Sequence, residues 1–248
     1  MTHRHPSHRE APLRRLLADA ALFNLLARAF TYPRPGHQAV VREAFDRVGA
    51  ARGRRGAVGR ALAAAARAWR AVDDGAPPAE YIRLFLGSGP CPLHETAYGD
   101  GRRIAGRPVE LADVQGFYQA FGFAQSERNP DLPDHLCAEL EFHSLLLIKQ
   151  AYALDADWTA RHDIARRAAT AFLNDHLGRW VPAFSQQLAE HGAAEPYRAL
   201  AALLAVAVAE QCRRRRIAPQ LASGRLPHDF MQDDALVCPR ATGPDPPQ

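Results

Sequence analysis

The sequence predicts an all-α fold built as a single helical domain. Hydrophobic residues recur at helical spacing almost everywhere, and no segment shows the period-two alternation of a half-buried strand. Pro- and Gly-rich breaks separate these apolar periods at helix-length intervals. At 248 residues, 47% hydrophobic and 23% charged, the chain can bury a sizeable core. The helical domain is expected over residues 11–216, after a flexible 1–10 and before a Pro-rich, mobile tail over 217–248.

The elements follow in order. Leu13, Leu16, Leu17, Ala20 and Leu25 define a first amphipathic helix with Pro12 near its start. Arg14-Arg15 before an apolar stretch resembles a secretory leader, but Asp19, Asn24 and Arg28 interrupt the run. The Tyr32–Gly36 break precedes a second helix carrying Val40, Val41, Ala44, Phe45 and Val48. A third carries Val58, Leu62, Ala65, Trp69 and Val72. Pro78 leads a fourth with Tyr81, Ile82, Leu84 and Phe85. A Gly- and Pro-rich loop from Gly87 to Pro108 is too long for a simple connector, and loops beyond about a dozen residues in compact domains are usually functional. Leu111, Val114, Phe117, Tyr118 and Phe121 form a fifth helix closed by Gly122. Between Pro133 and Leu154 apolar residues occur all round the helix, which predicts a buried, central element. Further helices are expected over Arg161–Leu177, Val181–His191 and Glu195–Cys212, with a bend near Pro182.

Charge is unevenly placed. Between Glu80 and Glu141 ten acidic residues face five arginines, net −5 in a chain of net +4, so the remainder carries +9. A locally acidic centre points to a cationic ligand rather than to nucleic acid, whose phosphates need clustered Lys and Arg. Cys91, Cys137, Cys212 and Cys238 show no CxxC pair, so reduced thiols are expected. No run reaches the roughly 18 apolar residues of a membrane span, and a cytoplasmic protein without stable membrane insertion is the expectation.

No motif has the layout of catalysis. Glu139 and Glu141 project about 200° apart on a helix and cannot flank one substrate; separate interhelical bonds are expected of them. His135, Glu139 and His143 stand at i, i+4 and i+8, but the outer pair lies about 12 Å apart, so one ion takes two of them at most. A metal-dependent hydrolase using Cys91, His94, His135 and Glu139 is the alternative this stripe raises. Asp134 behind Pro133 suits helix capping, worth about 0.3–1 kcal/mol, or a carboxylate at a groove mouth awaiting a guanidinium.

Several blocks then carry a resemblance: Glu80-Tyr81-xx-Leu84-Phe85-x-Gly87, Cys91-Pro92-Leu93-His94-Glu95-Thr96-Ala97-Tyr98, and Pro133-Asp134-His135-Leu136-xx-Glu139-Leu140-Glu141-Phe142. Phe172-xxx-His176-Leu177-xx-Trp180-x-Pro182-x-Phe184 follows in the same order. Together they resemble the TorD/DmsD/NarJ-type redox-enzyme maturation chaperones, and the wording around CPLHETAYG is similar to those serving dimethylsulfide, ethylbenzene, selenate or chlorate enzymes. The resemblance implies an all-helical chaperone with no catalysis of its own, and no cofactor is expected. It implies as partner the catalytic subunit of a molybdopterin-containing oxidoreductase with its twin-arginine leader. Peptide recognition is then carried over to Tyr81, Leu84, Phe85, Pro92, Glu95, Tyr98, Asp134 and His135, and the structural motif to Glu80, Gly87, Glu139, Glu141 and Phe142. His94 before the loop Glu, Thr96 after it and His143 depart from the commoner family pattern.

Overall fold

The computed structural model describes residues 9–53, 55–72, 76–99, 107–124 and 132–222. The expected flexible N-terminus, up to residue 8, and the expected tail from residue 223 lie outside the described residues. Within them the chain is helical, with no strand: α1 Glu10–Ala29, α2 His37–Arg52, α3 Gly56–Arg70, α4 Ala76–Phe85, α5 Arg107–Phe121 and α6 Leu136–Asp155 come first. Then come α7 Thr159–Phe172, a wide π turn Leu173–Leu177, α8 Gly178–Glu190 and α9 Tyr197–Arg215.

The all-round apolar surface of α6 does what its composition predicts. One side packs on α1 and another on α7. Ser144 Oγ donates to the Ala20 carbonyl at 2.9 Å, joining α6 to α1 inside the fold. Phe23, Leu26, Leu140, Leu146 and Leu147 are completely buried around this seam. Burying a side chain of that size contributes roughly 1.5–3 kcal/mol. His143 sits in the same layer, its ring edge-on to Phe23 at 4.7 Å. Burial holds its pKa well below the ordinary value, and the nearby Arg215 charge pushes the same way, so the imidazole is neutral. A second layer, α8 and α9 with α3, buries Trp69, Trp180, Phe184 and Tyr197.

Among the boundaries that differ from expectation, three bear on how the site is positioned. The fifth helix starts at Arg107 rather than near Leu111. The expected break before Val181 is instead continuous helix through the π turn, with Pro182 inside α8. Pro182 offers no N–H and cannot bond back to the preceding turn; such insertions often accompany functional positions. Residues 217–222 do not leave the body as a mobile tail. Ile217 packs against the core, and Ala222 N–H donates to the Arg179 carbonyl at 2.9 Å. Pro219 lies across the start of α8 at Gly178, where any Cβ would run into the Leu173 carbonyl and the Pro219 ring. Only glycine permits that crossing.

Candidate functional site

The site is built where the long loop after α4 returns to the start of α6. Gly87, at φ 58°, reverses the chain directly after α4. Cys91 N–H then donates to the Leu84 carbonyl at 2.9 Å, and the loop runs antiparallel to residues 134–136. Glu95 N–H donates to the Asp134 carbonyl at 3.0 Å and Leu136 N–H to the Leu93 carbonyl at 2.8 Å. Between these bonds His94 and His135 face each other, rings 5.0 Å apart and edge to face. His135 caps α6, its Nδ1 accepting from Cys137 N–H at 3.2 Å.

Asp134 therefore does not cap the helix, nor does it stand at a groove mouth. Its side chain is 0% exposed. Oδ2 accepts from the Thr96 hydroxyl at 2.6 Å and the Thr96 N–H at 3.1 Å, and Oδ1 lies 3.2 Å from His94 Nδ1. Burial alone would raise its pKa, but the His94 and Thr96 hydrogen bonds outweigh it and hold the carboxyl below the usual range.

Glu95 is equally internal. Its Oε2 accepts from His176 Nδ1 at 2.9 Å, both side chains being 2% exposed. The π turn aims His176 inward at this carboxylate. Desolvation lowers the His176 pKa, yet Glu95, with Asp113 and Asp175, raises it overall. Glu139 lies alongside, Oε2 accepting from Trp180 Nε1 at 3.1 Å. Burial first, then the Glu95 charge, pushes the Glu139 pKa well up. The remaining oxygens, Glu139 Oε1 and Glu95 Oε1, are both buried with no donor from a third residue among the described residues. A protonated Glu139 satisfies both by donating its O–H to Glu95. The interhelical bond expected of Glu139 is thus present, while Glu141 is exposed with Arg28 as its charged neighbour.

Over this buried network opens a cleft of about 540 Å³ between the end of α1, α4 and the start of α6. Tyr81, Phe85 and His135, all expected site residues, line it with Leu93 and His94. Tyr81 stands edge-on to Phe85 at 4.9 Å and to Tyr32 at 5.3 Å. The other expected residues form the wall behind. Leu84 is buried, and Tyr98 stacks on Trp180 at 5.3 Å while its hydroxyl donates to the Pro92 carbonyl at 2.9 Å. Glu80 joins Arg83 at 2.7 Å and accepts from Ala194 N–H at 2.8 Å, tying α4 to the corner before α9. Phe142 sits in the aromatic cluster beneath.

The carboxylate expected at a groove mouth is not supplied by these residues: Glu95, Asp134 and Glu139 point inward, and among the described residues no carboxylate lines the cleft, whose charged lining residue there is Arg34. Sequence reasoning also missed Thr31, Tyr32, Arg34, Leu86 and Cys137 in the lining. Tyr32-Pro33-Arg34 was legible only as a helix break; an aromatic before Pro33 and a cation between Pro33 and Pro35 were the available signal. Among the described residues no group of three or more metal-ligating side chains gathers. Cys91 is buried and Glu139 is engaged with Trp180, so neither joins His94 and His135 in an open centre. No described helix is long and apolar enough to cross a membrane.

A profile of the nitrate reductase delta subunit family matches residues 53–186, more than half of the chain. The selenate reductase assembly chaperone of Thauera selenatis is 34% identical over 110 residues, 44% of this chain and 56% of that protein. The chlorate reductase assembly chaperone of Ideonella dechloratans shows the same identity and coverage. The chaperone protein TorD of Photobacterium profundum is 30% identical over 111 residues, 44% of this chain and 49% of that one. The chain spans about half the length of the curated relatives it matches. With the matched region containing the bridge, the buried carboxylate network and the cleft walls from α4, the loop after it and α6, this chain belongs to the nitrate reductase delta subunit family, that of the TorD- and NarJ-type proteins.

Proposed function

We propose that the protein is a cytoplasmic assembly chaperone that grips the twin-arginine leader and apo catalytic subunit of a molybdopterin oxidoreductase. It would hold the client until its cofactor is inserted, restrain premature export and perform no bond-making itself. The observation that carries this reading is the aromatic cleft of Tyr32, Tyr81 and Phe85 set against the His94–His135 bridge, with Tyr81, Phe85 and the bridge inside the family-matched region. Such a trough receives the apolar part of a leader, and its ring faces attract guanidinium groups. Tyr81, Phe85 and His135 then contact the peptide. Leu84, Pro92, Glu95, Tyr98 and Asp134 position the wall from behind. Glu141, exposed one helical turn beyond the lining residue Cys137, supplies the carboxylate for a guanidinium in place of Asp134.

Calorimetry with a synthetic leader peptide carrying paired arginines before an apolar stretch tests this. The expected Kd is near 1 μM, about −8 kcal/mol, tight enough to hold and weak enough to release. Tyr32→Ala and Leu86→Lys alter exposed lining positions and are expected to weaken binding about tenfold each without changing thermal stability. Unchanged affinity in both variants removes the cleft from the leader site.

A further inference from the structure

Four large hydrophobic side chains stand in solvent around one groove between α6 and α7: Ile148 at 46%, Tyr152 at 61%, Trp158 at 41% and Ile164 at 50% exposure. The groove encloses about 460 Å³. Contiguous exposed apolar surface of this kind marks a contact with another molecule. The corner between the helices is shaped to present it. Asp157 adopts φ 59°, a left-handed conformation unfavourable for a residue with a side chain, and Trp158 N–H closes the turn on the Ala153 carbonyl at 2.8 Å. Trp158 is then set edge-on to Tyr152 at 5.4 Å with the Arg161 guanidinium 4.3 Å over its ring.

Charge identifies the occupant. Among the described residues the charged side chains of the lining, Lys149 and Arg161, are both cations. A second copy docked about a two-fold axis through the groove would set these cations against their own equivalents. The shape, a trough along a helical hairpin, fits a helix. We infer that this groove docks an amphipathic helix of a partner protein, apolar on one face and flanked by carboxylates. It is distinct from the leader cleft: Ile148 and Tyr152 lie roughly 20–25 Å along α6 from His135, so one client can occupy both. The inference rests on the chaperone reading only in taking that partner to be the client.

The full chain is titrated with a synthetic helical peptide bearing Leu at i, i+3, i+4 and i+7 with glutamates beside them, and with its lysine-flanked counterpart. Trp69 and Trp180 are buried, so acrylamide quenching of the chain's three tryptophans reads mainly Trp158. The glutamate peptide is expected to shield Trp158 and to bind at least tenfold tighter than the lysine peptide. Lys149→Glu/Arg161→Glu is expected to reverse that preference, and Ile148→Ala/Ile164→Ala to abolish shielding while leaving the circular-dichroism melt and leader binding unchanged. Equal binding of both peptides, or a preference indifferent to the charge reversal, overturns the inference. So does sedimentation showing self-association that itself shields Trp158, which assigns the groove to a second copy. Loss of leader binding with groove binding intact counts against the leader cleft alone.

Discussion

His176 Nδ1 and Glu95 Oε2 meet at 2.9 Å inside the fold, joining the π turn before α8 to the loop that walls the cleft. Because Glu95 raises the His176 pKa above 6.5, the folded state binds the proton more tightly than the unfolded chain. The resulting stability is fully present below pH 6.5 and is lost as pH rises through the folded pKa. Urea denaturation across pH 5 to 9 is expected to show a falling midpoint above that value, and His176→Phe to remove the dependence. Removing one partner of a buried pair costs about 3–5 kcal/mol, so the variant is compared at low temperature.

Glu139→Gln keeps the shape of the protonated carboxyl. Its amide donates to Glu95 Oε1 as the O–H does, and its carbonyl still accepts from Trp180. The raised pKa of Glu139 means that stability present below pH 4.5 declines as pH rises toward the folded value. Glu139→Gln is therefore expected to stabilise progressively more from pH 5 to 8. A variant uniformly less stable across that range contradicts the shared proton.

Asp134→Ala is expected to cost stability first and binding second. It leaves the Thr96 hydroxyl, the Thr96 N–H and His94 without their acceptor, at about 1–3 kcal/mol per buried group. The depressed pKa makes the wild-type contribution present above pH 3.8 and lost as pH falls through the folded value. Thermal melts at pH 7 and pH 3 should differ in wild type by more than in Asp134→Asn.

Gly178→Ala is expected to loosen residues 217–222 from α8. Overpacking of this kind costs typically 1–3 kcal/mol, because the Leu173 carbonyl is backbone and cannot rotate away. Limited proteolysis should cut sooner after Arg216 in the variant, with helicity retained.

The helices were readable because their signal is local. The all-round apolar pattern of α6, the Pro-Gly punctuation before α2 and the closing Gly122 each decide structure within a turn or two. The family blocks were readable for the same reason, since each is a contiguous string. Boundaries near Pro182 and Ile217 were missed because a π turn and a docked segment depend on what lies across them, not on their own residues.

Sequence alone determined the helical class, the central element and the strings that mark the family. Tertiary structure alone decided which of those strings' carboxylates meet solvent. The partners that turn Glu95, Asp134 and Glu139 inward stand 81, 38 and 41 residues away in the chain, at His176, Thr96 and Trp180. Three of the ten carboxylates counted between Glu80 and Glu141 therefore belong to a buried hydrogen-bond network rather than to a rim. Burying a carboxylate is tolerated only when donors converge on it, and that convergence is a property of packed helices, invisible to any local pattern.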